Sequence, residues 1–347
     1  MRFFLIFMSL LCGLHVHAQS EPHLQNIRQL TFGGDNAEAY WSPDGQWLTF
    51  QSNNPAWGLR CDQIFAMQPA LAANNPAYRP TDISHQKGRT TCSFFMPDGK
   101  HIVFASTMSA ADSCPAVPDL RAGGKYLWPV YDSYDLYVAD LEGNIVKRLT
   151  NTPGYDAEAV LSPKGDRILF TSTRSGDLEL WTMDLEGHDL RQITTGLGYD
   201  GGAFFSPDGS KIVFRASRPQ TDADVAEYKN YLAQGLVAPT QMEIYVCNAD
   251  GSNQHQVTSL GKANWAPYFH PDGKRIIFSS NHHSQRGYDF QLYIVAEDGT
   301  GLEKITSESI FNSFAMFSPD GKTLVWCSNR NNGGTRDTNV FIADWKN

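Results

Sequence analysis

The sequence lacks the short linear motifs that mark the common enzyme classes. It contains no G-x-S-x-G nucleophile elbow, no H-E-x-x-H metal motif, no P-loop and no dinucleotide-binding fingerprint. An acid/base site assembled from distant parts of the chain needs no such motif. The absence therefore disfavours these motif-based enzymes and leaves catalysis by dispersed residues open.

Basic residues are also scarce. The 347 residues include 28 Lys and Arg against 37 Asp and Glu, which gives a formal net charge of −9. A general nucleic-acid-binding protein would carry a basic face, so this balance argues against a nucleic-acid partner. The hydrophobic fraction of 41% is that of an ordinary globular protein.

Long apolar runs are absent except near the N-terminus, where one run has the features of an export signal. Arg2 precedes an apolar stretch at residues 3–14, and residues 16–18 give a small-residue cleavage pattern. The stretch is too short to span a bilayer, and no later segment is long and apolar enough to do so. We therefore expect residues 1–18 to be a signal peptide and residues 19–347 a single soluble domain, periplasmic or secreted, without a transmembrane segment.

A six-residue phrase recurs six times and defines a repeat. It reads YWSPDG, FFMPDG, VLSPKG, FFSPDG, YFHPDG and MFSPDG, with prolines at positions 43, 97, 163, 207, 271 and 319. Proline fixes φ for the second position of a type I turn, aspartate suits the third position, and glycine accepts a positive φ at the exit. The phrase therefore predicts a hairpin turn, and we interpret all six copies as structural.

Each phrase lies within a unit of four predicted strands. An apolar stretch precedes it, a strand ending in an aromatic residue follows, as in HIVFAS and RILFTS, and strands such as DLYVAD and KRLT complete the unit. The shortest spacing, 44 residues from Pro163 to Pro207, is close to the ~40–45 residues of a four-stranded propeller blade. The last unit ends after its third strand, whereas RQLT at 28–31 is a fourth-strand sequence with no unit before it. A ring in which the N-terminal strand completes the last blade accounts for both and leaves no open sheet edge.

The SPDG…F.S units followed by LY..D..G…LT resemble the TolB-like six-bladed β-propeller, a fold also seen in tricorn-type and prolyl-oligopeptidase-type propellers. The resemblance covers residues 26–345. It implies an all-β fold, a six-bladed β-propeller of four-stranded antiparallel blades closed by the N-terminal strand. Such propellers serve as scaffolds, partner-binding modules and substrate gates, so the resemblance is specific for fold and not for function. The repeats also resemble those of propeller lyases that act on acidic sugars with sites assembled from several blades.

Two long loops interrupt the repeat and, in a propeller, lie on the same face of the ring, which we call the insertion face. They are residues 107–134 in unit two and residues 218–241 in unit four. The second contains one predicted short helix, whose signals are Thr221 as N-cap with Asp224 three residues on, an apolar stripe at Val225, Tyr228 and Leu232, and Gly235 as the stop. This helix either covers neighbouring loops as a lid or forms a wall of a binding cleft, and the two roles are compatible.

The first insertion brings aromatic residues close together. They are Tyr126, Trp128, Tyr131 and Tyr134. Aromatic rings with polar tips suit recognition of peptides or sugars, and they equally suit anchoring of the insertion to its blade.

Cysteines are few, and five remain after the predicted signal peptide. Cys61, Cys92 and Cys114 map to the insertion face of a propeller, whereas Cys247 and Cys327 fall within strands. We expect one disulfide among the first three, with Cys92–Cys114 or Cys61–Cys92 fitting the topology best, and buried thiols at the other two positions.

Small polar residues lie seven positions before each motif proline, at the mouth of the innermost strands. They are Asn36, Thr90, Asp156, Asp200, Asn264 and Asn312, with Glu38 and Glu158 two positions further in. Such an oxygen-rich collar around the channel would suit a hard divalent cation, or hydroxyl and amine groups of a ligand. The alternative is that these side chains cap the turns that enter the strands.

Several basic residues without counterparts of their type in the other copies are expected on the insertion face. They are Arg89, Arg215, His282, His283, Arg286 and Arg336. A basic cluster on an acidic protein would favour an anionic group such as a carboxylate terminus or a uronate, and the alternative is solvated surface charge. Arginine also recurs in one shared position, at Arg174, Arg218 and Arg330, where we expect pairing with a carboxylate of a neighbouring blade.

We therefore expect a monomeric, non-catalytic module that binds a protein, peptide or envelope component through the insertion face, with an anionic small ligand as a further option. The predicted contact residues are Arg89, Tyr126, Trp128, Arg215, His282 and Arg336. No cofactor is expected apart from the divalent cation that the collar would suit. The alternative is a lyase or hydrolase of acidic oligosaccharides or peptides, in which His282 or His283 acts with the arginines at the channel mouth. A metal held by this histidine pair requires a loop, because adjacent residues on a strand point to opposite sides.

Overall fold

The computed structural model describes residues 21–347, and residues 1–20, with the predicted signal peptide, lie outside the described residues. In chain order the strands are β1 (Leu24–Gln29), β2 (Asp35–Trp41), β3 (Leu48–Asn53), β4 (Gln63–Met67), β5 (Thr81–Asp82), β6 (Thr90–Phe95), β7 (His101–Ser106), β8 (Trp128–Pro129), β9 (Asp135–Asp140), β10 (Ile145–Arg148), β11 (Asp156–Leu161), β12 (Ile168–Ser172), β13 (Glu179–Met183), β14 (Arg191–Gln192), β15 (Asp200–Phe205), β16 (Lys211–Ala216), β17 (Leu236–Val237), β18 (Glu243–Asn248), β19 (His255–Gln256), β20 (Asn264–Phe269), β21 (Arg275–Ser280), β22 (Gln291–Ala296), β23 (Glu303–Lys304), β24 (Asn312–Phe317), β25 (Thr323–Ser328) and β26 (Asn339–Trp345). The helices are α1 (Pro69–Ala72) and α2 (Asp222–Leu232), and two short 3₁₀ segments occupy Pro55–Trp57 and Ala122–Gly124. Neither α-helix among these residues is long and apolar enough to pass through a membrane.

Six four-stranded antiparallel sheets form the blades of the propeller, as predicted. From the innermost strand outward, they are blade 1 (β2, β3, β4, β5), blade 2 (β6, β7, β9, β10), blade 3 (β11 to β14), blade 4 (β15, β16, β18, β19), blade 5 (β20 to β23) and blade 6 (β24, β25, β26, β1). The remaining strands, β8 and β17, pair with each other and belong to the two insertions.

The N-terminal strand closes the ring. β1 pairs antiparallel with β26, with Arg28 opposite Ile342, and the Leu30 N–H donates to the Val340 carbonyl at 2.8 Å. The expectation drawn from the RQLT sequence is therefore confirmed, and the outer edge of blade 6 is covered by the first strand of the domain.

The six motif turns join the first and second strands of each blade. The glycine of each phrase has φ between 65° and 70°, a left-handed conformation that glycine adopts without steric cost. In the blade 4 copy, the Asp208 carboxylate accepts the Ser210 N–H at 2.9 Å, which fixes the turn. The phrases form hairpin turns, as predicted.

The core lies between neighbouring blades. The aromatic residues near the end of each second strand are fully buried, and they are Phe50, Phe104, Phe170, Phe214, Phe278 and Trp326. Burying a side chain of this size contributes about 2–3 kcal/mol each, so the repeated aromatic position is a main source of cohesion between blades.

Candidate functional site

A ring of β-bulges lines the central channel. In each innermost strand the pairing with the second strand shifts register, as between Ala37 and Tyr40 in blade 1. The residue at each shift has a positive φ of 47° to 58°, and the six are Glu38, Cys92, Glu158, Gly202, Ala266 and Phe314. A left-handed conformation at a non-glycine residue costs on the order of 1 kcal/mol or more, so the fold imposes this geometry in all six blades.

The bulge residues surround a narrow chamber, and all of them except Gly202 also line a wider cavity. All six line a chamber of about 30 Å³ in the channel. Above it, on the insertion face, lies a cavity of about 390 Å³, which we call the insertion-face cavity. Its walls carry the aromatic side chains Tyr126, Trp128, Tyr134, Tyr155, Tyr199, Trp265, Phe311 and Phe314. Space for a small ligand or a few side chains therefore opens directly onto the bulge ring.

The two insertions join over this cavity. Trp128 of β8 pairs with Val237 of β17, and Leu127, Tyr231 and Leu236 form a small buried cluster between the insertions. Trp128 also stands with its ring 5.0 Å from that of Trp265 in blade 5. The insertions therefore form one roof that covers part of the channel mouth.

The predicted helix is present as α2. Thr221 is its N-cap, with a capping box in which the Asp224 N–H donates to the Thr221 hydroxyl at 3.2 Å. Tyr228 and Leu232 pack against the core, and the Tyr228 hydroxyl donates to the Asp177 carboxylate of blade 3. The helix thus supports the roof from the side of blades 3 and 4.

A disulfide ties the first insertion to blade 1. It joins Cys61 and Cys114, whose Cα atoms are 6.0 Å apart. The predicted pairings, Cys92–Cys114 and Cys61–Cys92, are therefore wrong, because Cys92 lies at a bulge in the channel wall, below the rim that Cys61 and Cys114 share. The Cys247 and Cys327 thiols are buried and free, as predicted.

Arg215 and Glu158 form a buried ion pair beside the channel. The Arg215 Nη2 donates to Glu158 and to the Tyr199 hydroxyl, the latter at 2.6 Å. The same carboxylate accepts the Thr171 hydroxyl at 2.7 Å and the Gly202 N–H at 2.8 Å. Burial alone would raise the pKa of Glu158, but Arg215 and these hydrogen bonds lower it below its ordinary value, so Glu158 is ionised.

Two neighbouring glycines make room for this pair. A Cβ atom at Gly202 would lie 1.6 Å from the Arg215 Nη1, and one at Gly201 would lie 2.4 Å from the Glu158 Oε2. No other side chain fits at residue 202 without displacing the guanidinium. The GGAFF sequence of unit four is therefore part of the site.

A second arginine at the cavity is also paired. The Arg89 Nη1 donates to the Asp62 carboxylate at 2.7 Å. Burial raises the pKa of Asp62, and the charge of Arg89 offsets part of that rise. Both cavity arginines are thus neutralised by carboxylates of the protein itself, which weighs against an anionic ligand.

Glu38 differs from Asp62 and Glu158 because no arginine among the described residues binds it. Its Oε2 oxygen is buried and has no hydrogen-bond partner among residues 21–347. Burial raises the pKa of Glu38 to about 7, while a hydrogen bond with the Cys92 thiol and the charge of Arg215 lower it and the charge of Glu158 raises it. A carboxyl group that changes protonation near neutral pH therefore faces the cavity and the chamber beneath it.

The predicted channel-mouth residues divide into two groups. Asn36, Glu38 and Glu158 line the cavity, whereas Asp156, Asp200, Asn264 and Asn312 are buried at blade junctions. Asn264, for example, donates through its side chain to the Met242 carbonyl at 2.8 Å.

The recurrent arginines explain the buried carboxylates of the second group. Arg174 binds Asp156 at 2.9 Å and Arg218 binds Asp200 at 3.1 Å. In both cases the carboxylate belongs to the first strand of the same blade, so the expected pairing with a neighbouring blade is wrong. Arg174 and Arg218 reach back across their own sheets because the first and second strands are adjacent, whereas Arg330 binds Glu21, which precedes β1, at 3.1 Å.

The predicted contact residues also divide into those that line the cavity and those that do not. Arg89, Tyr126, Trp128 and Arg215 line the cavity, whereas His282 and Arg336 lie outside its lining. The His282 Nδ1 is 2.9 Å from the Ser280 hydroxyl, and the His283 Nδ1 is 3.0 Å from the Tyr293 hydroxyl.

Two of the arginines predicted on the insertion face lie outside the cavity lining. Arg286 is exposed, with its Nη1 3.1 Å from the Tyr288 hydroxyl, and Arg336 is exposed. Within residues 21–347, no three His, Cys, Asp or Glu side chains are grouped so as to hold a metal ion.

The sequence pointed to Glu38 and Glu158 but not to the bulge ring to which they belong, although one signal marks this ring. The bulge position lies five residues before each motif proline, and its occupants differ in most copies: Glu, Cys, Glu, Gly, Ala and Phe. Copy-to-copy variation at one fixed position of a repeat would have marked this ring. Asp35 and Asp62 lie outside the repeated phrases and gave no such signal.

Comparisons with known proteins agree on the fold. The family model described as TolB beta propeller domain matches residues 129–229 and 227–345. A solved putative TolB from Agrobacterium tumefaciens is 19% identical with a TM-score of 0.58, over 90% of this chain and 91% of that one. A TolB from Acinetobacter baumannii is 18% identical with a TM-score of 0.52, over 79% of this chain and 55% of that one.

A solved oligogalacturonate lyase in complex with manganese is also similar. It is 13% identical with a TM-score of 0.51, over 90% of each chain. No curated protein matches the sequence. At such identities the structural likeness speaks for the shared propeller and not for a shared activity.

Proposed function

The chain belongs to the TolB beta propeller domain family, and we propose that it is a binding module that takes a short segment of a protein or peptide partner into the insertion-face cavity. The observation that supports this proposal is that the two insertions converge on one cavity. Both insertions, which are the departures from the repeat, meet over the same aromatic cavity of about 390 Å³. Aromatic rings with polar tips at a partly covered concave surface are typical of peptide recognition.

The compartment follows from the same proposal. The Cys61–Cys114 disulfide fits an oxidising environment, and the TolB neighbours share the propeller. We place the protein outside the cytoplasm, in the periplasm or secreted, where its partner is an envelope or extracellular component. It acts as a monomer without nucleic acid.

The test is capture of a partner that depends on the cavity. Tyr126 is 38% exposed, with its ring 6.5 Å from that of Trp128, so Tyr126→Ala removes a contact surface and leaves the roof strands in place. Tyr288, which is 55% exposed and outside the cavity lining, gives the matched control Tyr288→Ala. An envelope extract is passed over each immobilised protein, and a captured partner is purified and titrated directly.

We expect Tyr126→Ala to lower the affinity for the partner, measured by direct titration, about tenfold or more, as for an aromatic contact at the centre of an interface. Tyr288→Ala should leave this affinity unchanged. Equal affinity for the wild type and both variants would show that the partner binds elsewhere and would contradict the proposal.

Catalysis is a second candidate, and one observation favours it. A carboxyl with a pKa of about 7 faces the cavity, which is the range that suits a general acid or base near neutral pH. Two of the similar structures are oligogalacturonate lyases, one of them in complex with manganese. Against a uronate substrate, both cavity arginines are already paired with carboxylates.

The catalytic candidate is tested by incubating the protein with oligogalacturonates and with peptides, with and without Mn²⁺. Turnover that is lost in Glu38→Gln and retained in His282→Ala would place the chemistry in the cavity. Turnover lost in His282→Ala or His283→Ala would place it at the histidine pair. No turnover across the panel leaves the binding function as the proposal.

A further inference from the structure

The charged side chains of the insertion-face cavity carry an excess of negative charge. Four carboxylates line it, from Asp35, Glu38, Asp62 and Glu158, against two guanidinium groups. The two guanidinium groups are already bound to Asp62 and Glu158. Among the described residues, Asp35 and Glu38 therefore remain as carboxylates without a bound arginine, and an incoming anion would meet them as like charges.

One carboxylate oxygen of Glu38 is an acceptor that lacks a donor among the described residues. Its bulge conformation, with φ 55°, places the residue at the boundary between the cavity and the chamber below. The Oε2 oxygen is buried and has no hydrogen-bond partner among the described residues. A buried acceptor without a donor is costly, so a ligand that donates a hydrogen bond here gains that energy on binding.

The walls around this acceptor suit a positive charge. Ring faces attract cations within about 6 Å of the centroid. The cavity already holds one cation in this way, because the Arg215 guanidinium carbon lies 5.2 Å from the Trp128 ring centroid and 5.0 Å from that of Tyr199. Trp265 and Phe314 bring further rings to the same lining.

We infer that the insertion-face cavity binds a primary ammonium group on the Glu38 carboxylate, as presented by a lysine side chain or a peptide amino terminus. This inference rests on the proposed binding function and names the chemistry of the segment that the partner inserts. A cavity of about 390 Å³ admits one or two residues of a partner and not a folded domain. The Nε–H groups of Arg89 and Arg215, which lack acceptors among the described residues, suit a neutral carbonyl oxygen of the same segment.

The protonation of Glu38 gives this binding a pH dependence. Burial raises the pKa of Glu38 to about 7, so its carboxylate is mainly protonated at pH 6 and mainly ionised at pH 8. The groups that face it are Cys92 in β6, Glu158 in β11, Arg215 in β16, Cys327 in β25, Tyr40 in its own strand and Asp62 before β4. Since Arg215 lowers the pKa of Glu158, Glu38 is the member of this carboxyl pair whose protonation changes between pH 6 and pH 8.

Three probes of similar size and shape separate charge from hydrophobic contact. Benzylammonium, benzyl alcohol and benzoate are titrated into the protein by calorimetry and by ligand-observed NMR at pH 8. We expect benzylammonium to bind at least about tenfold more tightly than either of the others, because a hydrogen bond to a charged acceptor adds to the shared ring contacts. The affinity for benzylammonium should fall several-fold at pH 6.

Substitutions then assign the preference to one residue. Glu38→Gln should reduce the difference between benzylammonium and benzyl alcohol to within about twofold and remove its pH dependence. The matched control is Glu186→Gln, at an exposed carboxylate in the β13–β14 hairpin, which should behave as the wild type. Glu38→Asp, which keeps the charge and shortens the side chain, should weaken the preference without removing it, and thermal unfolding checks that each variant is folded.

Failure of the ammonium site and failure of the proposed binding function give different results. Equal binding of benzylammonium and benzyl alcohol by the wild type, or an ammonium preference that survives in Glu38→Gln, overturns the ammonium site and leaves the binding function standing. No binding of any probe also overturns the ammonium site, and the Tyr126-dependent capture experiment then decides separately whether the cavity binds a partner at all.

Discussion

Arg215 and Glu158 form an ion pair across the junction of blades 4 and 3, with 8% and 9% of their side-chain surfaces exposed. Glu158 is a bulge residue of blade 3, and Arg215 lies in the second strand of blade 4. No other blade junction in residues 21–347 has an arginine paired to a bulge carboxylate. The pair is therefore an added feature of the channel and not part of the repeat.

Removing one partner of this pair should be strongly destabilising. Arg215→Met leaves the buried Glu158 carboxylate without its cation, and we expect the free energy of unfolding to fall by about 3–5 kcal/mol. The double variant Arg215→Met with Glu158→Gln should lose less than the sum of the two single variants, since neither charge is then left alone. Urea unfolding followed by tryptophan fluorescence measures all three.

An exposed pair supplies the control for this cycle. Arg191 binds Asp189 with side-chain exposures of 63% and 50%, so Arg191→Met should change stability by less than about 1 kcal/mol. Equal losses for Arg215→Met and Arg191→Met would show that burial does not govern the buried pair.

The glycine beside the ion pair leads to a second prediction. Gly202→Ala places a Cβ atom where the Arg215 Nη1 lies, so the guanidinium must move away from Glu158. Gly261→Ala is the matched control, because Gly261 also has a left-handed φ, of 70°, and no atom lies within 4 Å of the position that its Cβ would take. Both variants carry the backbone strain of alanine at positive φ, and we expect Gly202→Ala to lose about 2 kcal/mol more.

Chemical denaturation of the two alanine variants tests this difference. If the variants unfold at the same urea concentration, the space at residue 202 is not needed for the Arg215 position.

The disulfide leads to a third prediction, which concerns the first insertion. Cys61 and Cys114 close a loop of 53 residues, for which the loss of chain entropy in the unfolded state corresponds to about 4 kcal/mol of stability. Cys114→Ala should therefore lower the unfolding temperature and expose residues 107–127 to proteolysis. Thiol reduction should reproduce this effect in the wild type and leave Cys114→Ala unchanged. Protection of the insertion against protease in Cys114→Ala would mean that β8 and β17 hold the roof without the bridge.

The fold was predictable because its signals are local and repeated. A proline, an aspartate and a glycine fix each hairpin within one short phrase, and the same phrase recurs at six positions. The helix was predictable for the same reason, since Thr221 and Asp224 cap it from within one turn. Predicting the closure of the ring needed one further step. The fourth-strand sequence at residues 28–31 had to be assigned to the last unit, which has only three strands of its own.

The site was only partly predictable because its contacts are not local. Arg89 and Arg215 were recognised as unusual, but their partners Asp62 and Glu158 are 27 and 57 residues away, so the sequence does not reveal that both arginines are already paired. The correct disulfide pairing could not be predicted because it depends on how deep Cys92 lies in the channel wall, and the order of the strands does not determine that depth. Glu38 was placed at the channel mouth, but the lack of an arginine bound to it within residues 21–347 becomes visible only when the neighbouring blades are in position.

The buried carboxyl of Glu38 gives the fourth prediction, a pH dependence of stability. Its pKa is about 7 in the folded protein because of burial, against an ordinary value of 4.5. Between about pH 4.5 and pH 7 the folded protein keeps a proton that the unfolded chain has lost, so unfolding releases a proton and stability falls as the pH rises through this window. A shift of this size corresponds to on the order of 3 kcal/mol, present at pH 4 and lost at pH 8.

Glu38→Gln removes this titration while keeping the size of the side chain. We therefore expect Glu38→Gln and the wild type to be about equally stable at pH 4, with the variant becoming progressively more stable than the wild type up to about pH 7 and the difference constant above it. Urea unfolding at pH 4, 5, 6, 7 and 8 gives the difference curve, in which the contributions of the other titrating groups cancel. Glu186→Gln should run parallel to the wild type across the same range. A stability difference that does not change with pH would mean that the Glu38 carboxyl titrates normally in the folded protein, and that a donor already satisfies its buried oxygen.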